Sequence, residues 1–98
     1  MAQKFKFMPS CKMSYIQQGV VYFTCQSFRL QTPEVQEKIR AICTEVGGGD
    51  GMKRQAILTY MTTRASWREC CDRFYLSDAA LDRLRRRFYA LWKERFRT

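Results

Sequence analysis

The apolar residues between Thr32 and Gly47 recur at helical spacing. Their positions follow i, i+4, i+7, i+8 and i+11, which predicts one apolar stripe along an amphipathic helix. The stripe consists of Val35, Ile39, Ile42, Cys43 and Val46. Thr32 suits the N-cap, Pro33 suits the first helical position, and Gly47 is a candidate C-cap. We interpret the stripe as core, and a partial role in a dimer contact is the alternative that the pattern leaves open.

A second amphipathic helix is predicted over roughly residues 52–61. Its apolar positions, which lie on one side, are Ala56, Ile57, Tyr60 and Met61. The intervening segment GGGDG, residues 47–51, lacks the preceding buried strand and the following Lys-Ser/Thr pair of a phosphate-binding loop. We therefore predict that it is a flexible connector between the two helices.

The first 30 residues have a different pattern. Lysines alternate with phenylalanines near the start, which predicts either a short edge strand or an arm that orders on binding. Residues 20–24, with the sequence VVYFT, favour an extended conformation, and a helix is the alternative. We accordingly divide the chain into a basic, extended N-terminal arm over residues 1–30 and a helical domain over residues 31–98.

Two further helices are predicted after residue 65. Ser66 and Glu69 form a capping box, because each side chain can bond the backbone N–H of the other. A short helix over residues 67–74 follows, and the sequence YLS interrupts it. Ser77 or Asp78 then caps a longer helix that runs to about Arg95.

The spacing within these two helices is typical of a helix-turn-helix motif. Such a motif needs a small fifth residue where the helices cross and apolar residues at the tenth, fifteenth and eighteenth positions. Counted from Trp67, those positions hold Cys71, Leu76, Leu81 and Leu84, and Phe74 adds an apolar eighth residue. Tyr75 occupies the turn position that often holds glycine, where a left-handed backbone would be strained. The prediction is an all-α fold that contains this motif, with an ordinary helical hairpin as the alternative.

Charge distinguishes the second half of the chain from the first. The formal net charge is +9, and residues 52–98 carry twelve Lys/Arg against five Asp/Glu. This balance points first to nucleic acid and second to an anionic membrane surface. Residues that we predict to face DNA lie on the two last helices and beside them. They are Arg64, Arg68, Arg73, Ser77, Asp78, Ala79, Arg83, Arg86 and Arg87.

Their predicted roles differ. Ser77, Ala79 and Arg83, near the start of the recognition helix, are candidates for contacts with base edges. The candidate phosphate contacts are Arg64, Arg68, Arg73, Arg86 and Arg87. Asp78 is interpreted as a helix cap on this face, Asp82 can pair with Arg86, and Arg85 has no assigned role. The alternative is a solvated face held by intrahelical ion pairs.

Other function classes are disfavoured by composition. The chain has no histidine, which removes the usual general base near neutral pH, and no C-x2-C spacing, so we predict no catalysis, metal or cofactor. Five scattered cysteines are not a disulfide framework. The sequence has no apolar run long enough for a membrane span, and we predict a cytoplasmic, nucleoid-associated protein without membrane partners.

Residues 54–91 resemble the PapB-like regulators of bacterial fimbrial (adhesin) operons. The resemblance rests on an S-x-x-E-x-C-x-x-aromatic element, here Ser66, Glu69, Cys71 and Phe74, followed by Leu76, Leu81 and Leu84, and extends over roughly residues 33–92. It implies an all-helical transcriptional regulator that binds AT-rich promoter DNA as a homo-dimer or higher oligomer. Trp67 and Cys70 depart from the basic and aliphatic residues expected there, which affects the target sequence more than the fold.

Other classes of function stay open at this point. A protein-interaction module would act on RNA polymerase or another regulator and would use Phe88, Trp92 and Phe96 as anchors. Binding to a membrane surface is disfavoured because the apolar face of the last helix is needed for the core. RNA binding is not excluded, although no exposed-aromatic sheet motif is present.

Overall fold

The computed structural model describes residues 7–9 and 12–96. Within these residues the chain forms five α-helices and no strand, in agreement with the predicted all-α class. The helices are α1 (Tyr15–Gln26), α2 (Pro33–Gly47), α3 (Gly51–Thr62), α4 (Trp67–Phe74) and α5 (Asp78–Arg95), and a short 3-10 turn, Phe28–Leu30, follows α1. The central helices α2 and α3 pack on each other, α5 packs on both, α1 contacts α3 and α5, and α4 contacts α3.

Helix α1 replaces the extended segment predicted for residues 20–24, and that prediction was wrong. Ser14 Oγ accepts a hydrogen bond from Gln17 N, and Gln17 Oε1 accepts one from Ser14 N, so a complete capping box starts the helix. Val21 and Cys25 then point into the core at helical spacing. The intrinsic preference of Val and Tyr for strands is worth roughly 1 kcal/mol or less per residue. The capping box and the burial of one side of α1 stabilise the helix by more than that.

The segment before α1 is bound to the helix by Gln18. This buried side chain accepts a hydrogen bond from Met8 N at 2.9 Å and donates to Met8 O at 3.0 Å and to Met13 O at 3.0 Å. Met8 itself is buried in the core. The chain at residue 8 is therefore part of the folded domain. Most of the alternating Lys-Phe segment, residues 1–6, lies outside the described residues.

The glycine segment after α2 is a tight turn, in contrast to the flexible connector that we predicted. The C-cap is Gly48, one residue later than expected, with a left-handed backbone at φ 58°, and Gly49 follows at φ 93°. Asp50 then accepts hydrogen bonds from Met52 N and Lys53 N as the N-cap of α3. Gly47 allows α3 to approach α2, since a Cβ there would lie 3.0 Å from Arg54 N.

One hydrophobic core joins all five helices. Buried residues that contribute to it include Val21 and Cys25 of α1, Ile39, Ile42, Cys43 and Val46 of α2, Ile57 and Met61 of α3, Cys70 and Cys71 of α4, and Leu81, Leu84, Phe88, Tyr89 and Trp92 of α5. The apolar stripe of α2 is thus buried within this chain, with Val35 packed at its edge. This burial agrees with the interpretation of the stripe as core.

Candidate nucleic-acid interface

Helices α4 and α5 are joined by three residues, and the turn has a left-handed backbone at its first position. Tyr75 has φ 56° and ψ 46°, and it is the one non-glycine residue with a positive φ in the described part of the chain. Leu76 N donates to Cys71 O at 3.0 Å, which closes the end of α4. Glycine is the residue that usually tolerates this conformation, so the turn geometry matches the position at which the sequence predicted strain.

The residues predicted to pack between the two helices lie in the core. Cys71, Leu81 and Leu84 are buried, and Phe74 and Leu76 are partly buried against the same cluster. The thiol of Cys71 reaches the start of α5, where it lies 3.7 Å from Asp78 Oδ1. Cys70, which had no assigned role, is also buried, on a helix that packs against α3.

Asp78 links the two helices, and this corrects its expected role as a helix cap on the DNA-facing side. Ser77 is the N-cap of α5, since its Oγ accepts a hydrogen bond from Ala80 N. The Asp78 carboxylate instead accepts hydrogen bonds from Trp67 Nε1 at 3.1 Å and from the Cys71 thiol at 3.7 Å. Burial and the nearby Asp78 carboxylate both raise the pKa of Cys71. Asp78 therefore holds α4 and α5 at a defined angle.

Arg85 is a buried structural residue, although the helical pattern assigned no role to it. Its guanidinium lies over the Trp67 ring, 4.8 Å from the centroid, and donates to Asp82 Oδ1 at 2.5 Å. Trp67 in turn packs edge-to-face on Tyr60 of α3, with ring centroids 5.2 Å apart. Burial raises the pKa of Tyr60, and the adjacent Arg85 opposes that shift. This cluster ties α3, α4 and α5 together.

Sequence reasoning missed the cluster because its contacts join residues that are far apart in the chain. Trp67 and Asp78 each hold the first helical position of their helix, which is the signal that could have paired them. Arg85 is buried because α5 places it against Trp67 of α4 and Tyr60 of α3. The local pattern does not encode contacts between separate helices.

The predicted ion pair between Asp82 and Arg86 is present. Arg86 Nε lies 2.7 Å from Asp82 Oδ2, so Asp82 bridges the buried Arg85 and the partly exposed Arg86. Hydrogen bonds from Arg86 and then Arg85 hold the pKa of Asp82 below its usual value. Part of the charge on Arg86 is thereby neutralised by Asp82.

The outward side of α5 carries small and basic residues. Ala79, Arg83, Arg86 and Ala90 follow each other at i, i+4, i+7 and i+11, on the side opposite the buried leucines, and Arg87 lies at the margin. Within the described residues neither Arg83 nor Arg87 makes an ion pair. We call this set, Ala79, Arg83, Arg86, Arg87 and Ala90, the basic face of α5.

The remaining predicted contacts are exposed residues of α4 and its approach. Arg64 precedes α4 and is exposed. Arg68, in the first turn of α4, lies 4.0 Å from Asp72, and both side chains are exposed, so this pair is weak. Arg73 lies over the ring of Phe74, 5.9 Å from its centroid. Each of these three guanidinium groups is accessible to an anionic ligand.

The thiols of the core are not arranged for metal or redox chemistry. Cys25, Cys43, Cys70 and Cys71 are all buried and reduced. Burial raises the pKa of Cys43 to about 12 and also raises the pKa of Cys25. A thiol with a raised pKa holds little thiolate near neutral pH. Within the described residues no group of three or more potential ligands could hold a metal ion.

The anchors considered for a protein-interaction module are not on the surface. Phe88 and Trp92 are buried, and Phe96 is partly buried and stacks on Trp92 with ring centroids 4.0 Å apart. A binding partner could not reach the first two without unfolding α5. Among the described residues, no helix combines the length and the apolar character needed to cross a membrane.

Comparison of the chain with protein-family models, with curated proteins and with solved structures gave no match. The function of the site therefore has to be inferred from its own residues.

Proposed function

We propose that this chain is a DNA-binding transcriptional regulator that uses α4 and α5 as a helix-turn-helix motif. In this proposal α5 is the recognition helix and lies in the major groove, and the start of α4 contacts the phosphate backbone. The protein acts by binding, with no catalytic step and no cofactor. The observation that carries the proposal is the combination of the left-handed turn at Tyr75 with the basic face of α5.

The turn supports the proposal because it imposes a specific angle between two helices. Tyr75, the first residue of the three-residue connection, has a left-handed backbone and ends α4. The Trp67–Asp78 hydrogen bond and the small Cys71 then fix that angle. An ordinary helical hairpin does not require a strained residue at this position, whereas a recognition helix needs a rigid orientation.

The basic face supports the proposal through its charge and its shape. Arg83 and Arg87 have no counter-charge within the described residues, and phosphate or guanine would supply one. Ala79 and Ala90 have short side chains on either side of the arginines, so the backbone of α5 can come close to the base edges in the major groove. Ser77 keeps its O–H free to donate while its oxygen caps the helix.

The proposal extends to the biological role implied by the resemblance described above. The chain would control a bacterial fimbrial or adhesin operon from the cytoplasm, bound to AT-rich promoter DNA as a homo-oligomer. Selection of bound duplexes from a random pool, followed by sequencing, tests this part. Enrichment of repeated AT-rich sites supports it, and recovery of a pool without base preference contradicts it.

The DNA-binding step is tested by fluorescence anisotropy with a labelled duplex taken from that selection. We expect the double variant Arg83→Ala/Arg87→Ala to weaken binding by about 10- to 100-fold, because each arginine contributes about 1 kcal/mol or more through a base or phosphate contact. The matched control is Lys53→Ala/Arg54→Ala, which removes the same charge from exposed positions at the far end of α3.

The salt dependence separates specific contacts from general attraction. Each phosphate contact contributes about 0.9 to the slope of log affinity against log salt, so loss of one or two contacts flattens that slope by roughly 1 to 2. For the control variant, the slope of log affinity against log salt should stay within about 0.5 of the slope measured for the parent chain. Equal losses in the two variants would mean that only net charge matters, and an unchanged affinity in both would refute the proposed function.

A further inference from the structure

Helix α1 exposes a large apolar face. Tyr15, Ile16, Val20 and Phe23 are exposed by 63%, 76%, 56% and 57% of their surface. On a helix these positions lie on the side opposite Gln18, Val21 and Cys25, which are buried. Phe7 lies beside Tyr15, with ring centroids 5.9 Å apart, and continues the surface. We call Phe7, Tyr15, Ile16, Val20 and Phe23 the α1 face.

The α1 face differs from the rest of the molecule in charge. Helix α1 contains no charged residue, whereas α2, α3, α4 and α5 each carry several. The chain as a whole has a formal net charge of +9. A contact between two copies at most other places on the surface would bring like charges together, whereas a contact through α1 would not. A second copy is thus the occupant that fits an uncharged surface on a strongly basic chain.

We propose that two copies of this chain associate through their α1 faces. The four exposed helix residues together with Phe7 present on the order of 500 Å² of apolar surface, taking about 150–250 Å² for a fully exposed aromatic side chain. A standard protein interface buries about 800 Å² on each partner. The face therefore supplies most of one side of such an interface, and the polar residues around it, including Gln17 and Thr24, supply its rim.

The shape of the face suits a two-fold pair of helices. Gly19 lies between Tyr15 and Phe23 on the same side of α1, and Tyr15, Ile16, Gly19, Val20 and Phe23 line a shallow depression. A two-fold contact is self-complementary, since both copies use the same patch and each contact between residue i of one copy and residue j of the other occurs twice. The larger side chains of one copy can enter the depression of the other, and Gly19 allows the two helix backbones to come close.

The pairing specifies how the homo-oligomer of the proposed function forms, and it rests on that part of the proposed function alone. It is measured in the absence of DNA. The two interactions also respond to salt in opposite directions. Added salt screens the repulsion between two basic copies and should strengthen the pair, whereas it weakens binding to phosphate. A failure of the α1 contact is therefore distinguishable from a failure of DNA binding.

The test is sedimentation equilibrium of the full chain, with the double variant Ile16→Glu/Val20→Glu. The parent should sediment as a dimer of twice 11.7 kDa. In the variant, dimerisation should weaken by at least about 100-fold, because the two copies together bring four carboxylates into one apolar contact, where they repel each other and lose solvation. Met52→Glu, an apolar-to-acidic change at another exposed position, on α3, is the control and should remain dimeric. Circular dichroism confirms that the helix content of each variant is unchanged.

A cross-link gives a second measurement that does not depend on a destabilising change. Val20→Cys should form a disulfide-linked dimer on mild oxidation, above the level of the parent chain, and Met52→Cys should not. A parent that stays monomeric up to about 100 µM, where even a weak dimer would form, overturns the proposal. It is also overturned if Ile16→Glu/Val20→Glu stays dimeric, or if Val20→Cys gives no more cross-link than Met52→Cys.

Discussion

The buried Arg85 makes stability depend on a single carboxylate, and Asp82→Ala is the perturbation that tests this. The Arg85 side chain is 9% exposed, and Asp82 is its ion-pair partner at 2.5 Å. Within the described residues no group accepts a hydrogen bond from the buried Nε of Arg85. Removing Asp82 would therefore leave a guanidinium buried with the Trp67 ring and the Tyr60 hydroxyl as its partners.

The expected cost follows from the surroundings of the pair. Removal of one partner from a fully buried ion pair costs about 3–5 kcal/mol. Asp82 is 32% exposed, so the pair is partly solvated and the cost is reduced. The cation–π contact with Trp67 persists, and alanine gains roughly 0.5 kcal/mol of helix propensity over aspartate. We expect the free energy of unfolding to fall by about 2 kcal/mol.

Urea unfolding followed by circular dichroism measures this change. For a domain of this size the denaturant slope is about 1–1.5 kcal/mol per molar urea, so the midpoint should fall by roughly 1.5 M. Asp72→Ala is the control, because Asp72 also pairs with an arginine four residues away but both side chains are exposed. That variant should change the free energy of unfolding by less than about 0.5 kcal/mol.

A double-mutant cycle identifies the cause of the loss. Arg85→Met replaces the buried charge by an apolar side chain of similar length and should cost less than about 1 kcal/mol. In the Arg85→Met background, Asp82→Ala should then be nearly neutral. If Asp82→Ala costs the same in both backgrounds, or if it costs no more than Asp72→Ala, the reasoning about the buried guanidinium is refuted.

Two further predictions concern the turn and the acid stability. Tyr75→Gly should raise the free energy of unfolding by about 0.5–1 kcal/mol in the same urea assay, because the side chain is 84% exposed and glycine removes the left-handed strain; a loss of stability would contradict this account. Hydrogen bonds from Arg86 and Arg85 lower the pKa of folded Asp82 below its unfolded value of about 3.9, so its stabilisation is complete above that pH and is lost as the pH falls through the folded pKa. Asp82→Asn should reduce the fall in the free energy of unfolding as the pH decreases. An unchanged fall would mean that other carboxylates cause it.

Local interactions account for the parts of the fold that the pattern predicted well. Helix α4 has the bounds expected from the Ser66–Glu69 capping box, and α2 starts at the proline expected from Thr32. A cap or a helical stripe involves residues within about four positions of each other, and those contacts form in any chain with that sequence. The same kind of signal was present before α1, where Ser14 and Gln17 form a capping box. The strand preference of residues 20–24 concealed it.

In the candidate site, too, helical spacing predicted the position of some residues and not of others. The spacing of Cys71, Leu81 and Leu84 placed them between two helices, and they are buried there. The exposure of Arg83 and Arg87 followed from the same helical period. For Arg85 and Asp78 the period was not sufficient, since it gives the side of a helix on which a residue lies and not what covers that side.

The amino-acid pattern was sufficient for the set of helices from α2 to α5, the N-caps Thr32 and Ser66, the position of the turn at Tyr75 and the outward direction of Arg83 and Arg87. Only the tertiary structure decided that Arg85 is buried over Trp67, that Asp78 joins α4 to α5, and that α1 packs on one side and leaves its apolar face exposed. The difference arises from how far apart in the chain the interacting residues lie. Helix periodicity and capping depend on neighbours in the chain, whereas burial depends on the angles at which whole helices dock, and these are set by the packing of the entire core.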